Sequence, residues 1–367
     1  MNNTLYWMWL AEGLGSGCRY AGELLEQAEP AELYEQAHAG APLPRVITPR
    51  AGKKLREVTV EELARRLEVC DELGVKVLTP DSADYPRRLL DLPDMPVVLY
   101  ATGDTRCLNG ERYVGMVGTR RPTAYGSGAC HDISLELAKQ GVVIVSGLAD
   151  GLDGVGHVAA VEAGAKTVAF LGTAIHRTYP AANRSLRAQI EALGGAVLSE
   201  YPPDFEGRAS GTFLARNRLI AGLSEALCVA EARTKSGTLN TVGHAERYGR
   251  RVFAVPGSIY SPTSEGTNEL LASGRAAVLR RAGDVVTALG IAARDANPIR
   301  EAPVQDPDAF TPAARKVLAA LGPVPQTPDV LVASTGLPVQ SVLAALTELE
   351  LLDAAVCHPG GRYTAAH

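Results

Sequence analysis

The chain reads as an α/β protein: an extended Rossmann-like, doubly wound and mostly parallel sheet, with a small helical domain before it and a winged-helix domain after it. Three observations carry that reading. From Tyr113 onward, short valine-rich runs alternate with helical segments, the rhythm of parallel strands and their covering helices. Small residues and cations recur where those strands end, which is the rim at which a doubly wound sheet receives its ligands. The 367 residues exceed one average domain, and a Pro- and Asp-bearing stretch, ARDANPIREAPVQDPDAF, separates the last part of the chain from the rest.

Taken in order, residues 1–75 are predicted helical at 6–9, 20–27 and 61–73. The insert APLPRVITPRAGKKLREV between them is expected to form an exposed loop or hairpin. Gly13-Leu14-Gly15 has the spacing of a SAM-like or helix-hairpin-helix turn, and plain helix capping explains the same glycines. The 76–290 domain begins with a connector at 76–111, a short strand and a Pro-studded lead into another. Strands are then expected at 113–117, 142–145, 167–171, 196–198, 226–229, 252–255 and 277–279. A linker at 291–309 precedes a winged-helix module at 310–367. Its helices are expected at 311–321 (Thr311 as N-cap, Pro312 at the first position), 328–334 and 338–349, with a hairpin around Pro359-Gly360-Gly361. The third helix, PVQSVLAALTEL, has no Lys or Arg, so a protein contact or regulatory role is expected of it rather than groove reading.

Net charge is −5, which taken whole argues against nucleic acid. Its distribution reverses the argument: −6 over 1–111, +4 over 112–290 and −3 over 291–367. A local excess gathered in loops suits a focused groove. Six scattered cysteines without a CxxC pair indicate reduced thiols and a cytoplasmic location. The start, MNNTLYWMWLAEG, lacks a basic flank and meets Glu12 early, so neither a signal peptide nor membrane insertion is expected.

The candidate site is a set of turns at the strand ends. Gly118-Thr119-Arg120-Arg121-Pro122-Thr123 joins a strand-end glycine to two guanidinium groups and the first helical turn, where backbone N–H groups can converge on a phosphate. Ser146-Gly147 lets the main chain approach a ligand. Arg216, Asn217 and Arg218 add two guanidinium forks and an amide, and Lys235-Ser236-Gly237-Thr238 sits between a strand and a helix. Each turn alone is equally a tight turn with solvated cations; together they describe an anion site. Asp153 and His157, four apart on one helical face, offer either an acid–base pair or, preferably, a cap that orients a loop. Tyr179 or Phe213 could contact a base, and core packing is the commoner role for either. No GxGxxG follows the first strand, no Walker loop occurs and no metal-ligand spacing is found, so neither a cofactor nor a metal is expected.

Several separate motifs in order resemble the DprA/Smf family: VGTRRPTAYG, SGLADGLDGVGHVAA, LGTAIHRTYPAANRSL, FLARNRLIAGLS, VAEARTKSGTLNTVGHA and RRVFAVPGSIYSPTSEGTNELLASG, over residues 77–279. The resemblance implies single-stranded DNA binding, loading of the recombinase RecA during natural transformation, and homodimerisation through the Rossmann core. It also implies that Gly118, Thr119, Arg120 and Thr123 form one phosphate-contacting turn, that Lys235, Ser236 and Gly237 form a second, and that Arg216, Asn217 and Arg218 match the family's Arg-Asn-Arg helix start. The chain departs from the family at Gly151-Leu152-Asp153-Gly154-Val155-Gly156-His157, at Gly172-Thr173-Ala174-Ile175-His176 and at Thr241-Val242. A binding protein without catalysis is therefore expected. The alternative is a Rossmann-fold nucleotide phosphoribohydrolase or nucleotide-sensing protein, but Thr241 stands where the hydrolase loop carries its glutamate.

Overall fold

The computed structural model describes residues 3–207, 210–291, 310–321, 325–352, 354–358 and 361–365. They fall into two compact units, 1–294 and 295–367.

Among the described residues of the first unit five α-helices precede the sheet: α1 (Asn3–Leu14), α2 (Ala21–Leu25), α3 (Pro30–His38), α4 (Pro49–Glu57) and α5 (Val60–Glu72). The expected loop or hairpin at 41–58 is corrected by α4. Thr48 caps that helix by accepting a hydrogen bond from the Ala51 amide (3.3 Å), Pro49 occupies the first position, and Leu55 is fully buried. Trp9 anchors the bundle, its indole N–H donating to the Leu55 carbonyl at 2.9 Å.

Among the described residues nine strands form one sheet: β1 (Lys76–Leu78), β2 (Leu99–Gly103), β3 (Arg112–Val117), β4 (Val142–Ser146), β5 (Thr167–Leu171), β6 (Ala196–Ser199), β7 (Ala226–Val229), β8 (Arg251–Ala254) and β9 (Ala277–Val278). The order is β1-β2-β6-β5-β4-β3-β7-β8-β9. From β6 to β9 every pairing is parallel. The segment read as a connector belongs to this sheet: β2 pairs antiparallel with β6 (Ala101 opposite Leu198) and β1 with β2. Its two strands were expected, but not their place in the main sheet: β1 is the edge and β2 lies between β1 and β6.

Both faces of the sheet are covered, and the two-residue period divides the side chains between them. Val114, Met116, Val142, Ile144 and Cys228 pack with helices α6 (Ala124–Lys139) and α7 (Leu152–Glu162) on one side. Tyr113, Val117, Val143, Val145 and Val229 share the other core with the N-terminal helices and with α8 (Arg184–Ala192), α9 (Ser210–Leu223) and α10 (Gly237–Arg247). Helices α11 (Glu265–Ala272) and α12 (Ala282–Leu289) complete the unit. The chain runs outward from β3 to β6, then returns to β3's other flank with β7, so the topological switch lies at β3/β7.

The second unit contains α13 (Pro312–Ala320), α14 (Pro328–Thr335), α15 (Val339–Leu351) and the hairpin β10 (Ala355–His358) and β11 (Arg362–Ala365). Thr311 caps α13, its hydroxyl accepting from the Ala314 amide at 3.2 Å. Most of the 291–309 linker and the tip of the hairpin lie outside the described residues. Among the described residues no single helix is long and apolar enough to cross a membrane.

Candidate functional site

The loops leaving β3 and β7 are joined before any ligand arrives. The Thr119 amide donates to the Glu231 carbonyl at 2.9 Å. The Glu231 carboxylate, almost fully buried, accepts from the Thr123 amide (2.9 Å), the Thr123 hydroxyl (2.6 Å) and the Thr263 hydroxyl (3.1 Å). Thr123 also caps α6, its hydroxyl oxygen accepting from the Gly126 amide at 3.1 Å. Gly151, at φ 75°, presses against the Thr119 carbonyl and the Arg120 backbone, a conformation and a clearance that only glycine supplies. The Gly118–Thr123 turn is thus fixed, with Arg120 and Arg121 projecting into solvent.

A cavity of about 600 Å³ opens beside this turn, lined by Gly118, Thr119 and Arg120, by Phe213, Arg216 and Asn217 of α9, and by Ser236, Gly237 and Thr238 at the start of α10. The N-terminal end of α10, where Ser236 makes no side-chain capping bond, favours negative charge. Asn217 ties the two helices, its side-chain amide donating to the Gly237 carbonyl and to Asn240 Oδ1, each at 3.3 Å. Lys235 stands exposed next to that helix start, as does Arg233 on the same loop. Among the described residues Arg120, Arg121, Arg233 and Lys235 enter no salt bridge.

The cavity floor is charged but internally compensated. Arg216 is buried, its Nη1 donating to the carbonyls of Gly147 (2.7 Å) and Phe170. Burial lowers the Arg216 pKa against the opposing pull of Asp153, while burial raises the pKa of Asp153 against the pull of Arg216. His157 lies on the same helix as Asp153 but does not pair with it: Nδ1 meets the Thr167 hydroxyl at 2.7 Å. Since that hydroxyl donates its own proton to the Ile144 carbonyl (2.6 Å), Nδ1 carries the hydrogen. Burial, then the nearby Arg216 charge, pushes the His157 pKa down to about 3, so the ring is neutral.

Four sequence-based expectations change here. Arg218 does not reach the cavity: two residues along a helix turn a side chain by about 200°, so Arg216 and Arg218 face opposite ways. Arg218 is 2% exposed, bonded through Nη2 to Glu200 at 2.6 Å and lying 4.0 Å from Asp94. Ser146 is fully buried, its hydroxyl donating to the Met116 carbonyl at 2.5 Å, and a side chain at Gly147 would collide with the Arg216 guanidinium; both serve packing rather than ligand approach. Asp153 makes no capping bond for α7, whose N-cap is Gly151. Tyr179 and Phe213, more readily read as core, line the cavity with ring centroids 5.7 Å apart, and the Arg120 guanidinium stands 5.6 Å over the Phe213 ring. Glu231, the organising carboxylate, escaped sequence reading. Its one signal is an acid placed directly after the apolar run Ala226–Ala230, which by itself does not distinguish an anchor from a surface residue.

Thr241 lines the cavity where a phosphoribohydrolase would carry its glutamate. No group of three or more potential metal ligands occurs among the described residues.

Comparison with known proteins places this arrangement. Residues 76–290 match the family model described as DNA recombination-mediator protein A, and residues 301–361 match the DprA winged helix domain. The chain is 37% identical over 331 residues to Protein Smf of Synechocystis, covering 81% of this chain and 82% of that protein. The solved structure of DNA processing protein A from Streptococcus pneumoniae superposes with a TM-score of 0.64 at 31% identity, over 78% of this chain and 98% of that one. A second, from Helicobacter pylori, was described for its single-stranded DNA binding mode; it gives a TM-score of 0.53 at 34% identity, over 59% of this chain and 95% of that one. The chain belongs to the DprA/Smf family of DNA recombination-mediator proteins.

Proposed function

We propose that the rim at β3/β7 binds single-stranded DNA, protecting the incoming strand and presenting it to the RecA recombinase during natural transformation. The protein would act as a cytoplasmic homodimer held through the Rossmann unit, without catalysing covalent chemistry. The observation that carries the reading is the convergence of two loops, tied by Glu231, that expose Arg120, Arg121, Arg233 and Lys235 without carboxylate partners among the described residues. A polyanion is the ligand that satisfies such a row. The rings of Phe213 and Tyr179 offer faces on which bases can stack. Asp153 lines the same cavity but is drawn toward Arg216 and the Gly147 amide, which favours binding over acid–base work. The DNA-binding mode described for the H. pylori relative supports the same ligand.

Gel-shift competition between single-stranded and duplex DNA of equal length tests the proposal. Preferential displacement by the single strand is expected, and equal displacement by both overturns strand specificity. Incubation with AMP should release no free base; release would establish the nucleotide-hydrolysing alternative.

A further inference from the structure

The loop after β8 displays two large apolar side chains to water: Ile259 is 79% exposed and Tyr260 90% exposed. Tyr125, on the first turn of α6, is 55% exposed. Loops that carry such side chains idly are usually loose, and this one is pinned throughout. The Gly257 amide donates to Asn268 Oδ1 at 3.1 Å, and Asn268 Nδ2 donates back to the Gly257 carbonyl at 3.0 Å. The Tyr125 hydroxyl donates to the Pro256 carbonyl at 2.7 Å. Ser261 and Thr263 share a hydroxyl contact of 2.9 Å, and Thr263 donates to Glu231. Glu231 is also the carboxylate that holds Thr123, so one buried group sets the Gly118–Thr123 turn and the Ile259–Tyr260 loop in register. The start of α11 closes the frame, the Gly266 amide donating to the Ala232 carbonyl at 2.8 Å, next to Arg233.

We propose that Ile259 and Tyr260, with Tyr125 behind them, form a base-stacking ledge that carries a bound single strand beyond the cationic turns. The inference deepens the strand-binding reading and rests on it. Two features select this occupant. The ledge is tied through Glu231 to the turns bearing Arg120, Arg121, Arg233 and Lys235, which enter no salt bridge among the described residues, and a single strand presents both phosphates and stackable base faces. A second copy docked on the same ledge about a two-fold axis would bring those cations toward their own kind. The backbone that carries Ile259 and Tyr260 is held before binding, as is the Tyr125 ring through its hydroxyl, so little main-chain freedom is lost when a base arrives.

The test uses the full chain and fluorescence anisotropy with an end-labelled oligothymidylate of about 20 nucleotides, longer than the ~4–16 that a single-strand-binding OB-fold covers. Tyr260→Ala is expected to weaken binding by about five- to 150-fold while leaving the salt dependence unchanged, since a ring and no phosphate contact is removed. Tyr260→Trp should retain the wild-type affinity. On an abasic probe of the same length the Tyr260→Ala penalty should vanish. The residue is on the surface, so the melting temperature serves as the folding control. Unchanged affinity of Tyr260→Ala alongside lost binding by Arg120→Glu overturns the ledge and leaves the strand-binding reading standing. Unchanged binding by Arg120→Glu overturns both. A fall in sedimenting mass for Tyr260→Ala would identify a self-association surface and also overturn the ledge.

Discussion

Neutralising Arg120 isolates the electrostatic part of the proposed interface. Its guanidinium is exposed, enters no salt bridge among the described residues and sits over the Phe213 ring, so Arg120→Ala removes one charge from a turn whose backbone is fixed by Glu231 and Gly151. Four such cations line the rim, which sets the expected steepness: with a slope of about −0.7 per phosphate neutralised, log affinity should fall with log salt at about −2.8 per protomer, or roughly fiftyfold between about 50 and 200 mM. Removing one contact brings the slope to about −2.1 and the same interval to roughly eighteenfold. Fluorescence anisotropy titrations over a salt series measure both slopes directly. Weaker binding by Arg120→Ala with an unaltered slope would show that the side chain touches no phosphate, and would refute the assignment of this turn to the strand.

Arg218→Ala is expected to act on folding instead of binding. Glu200 and Asp94 would lose their buried cation, at a cost of about 3–5 kcal/mol in urea unfolding, while the folded fraction keeps the wild-type salt slope; a stable variant with a reduced slope would return Arg218 to the groove. His157 makes stability depend on pH. Its folded pKa of about 3 lies below the ordinary value near 6.5, so the unfolded chain takes a proton that the folded one refuses, and stability present above about pH 6.5 is lost as pH falls toward 3. Between about pH 7 and 5 the loss is about 2 kcal/mol. Asp153, whose raised pKa acts with the opposite sign, remains in both proteins when wild type is compared with His157→Gln. The variant should lose that slope, and identical pH profiles in urea would contradict the neutral buried ring.

Alternation of apolar runs and helices was enough to locate the strands of the parallel sheet, because a strand covered on both faces needs a continuous apolar run whatever its neighbours are. Thr167–Leu171 and Ala226–Val229 have the limits expected from the runs themselves. Thr311-Pro312 likewise announced α13 through a local bond between a hydroxyl and an amide three residues on. Helix α4 followed the same local rule at Thr48-Pro49, but its lysines and arginines suggested an exposed loop, and Leu55 finds its buried place only against Trp9 and the other helices.

The cationic turns at Gly118–Thr123 and Lys235–Thr238 were legible because a strand's end and a helix's start are local facts. What the chain could not reveal was which way adjacent charges point. Arg216 and Arg218 are chemically identical in the sequence, yet the rotation of α9 sends one to the cavity floor and the other into an ion cluster with Glu200 and Asp94. Glu231 illustrates the same limit. Its importance comes from three donors belonging to residues 108 and 32 positions away, a meeting that the parallel packing of β3 and β8 on either side of β7 brings about. Residue chemistry and local period fix the elements and the loops in which cations gather; the direction of each side chain is decided when distant segments compete for the same buried space.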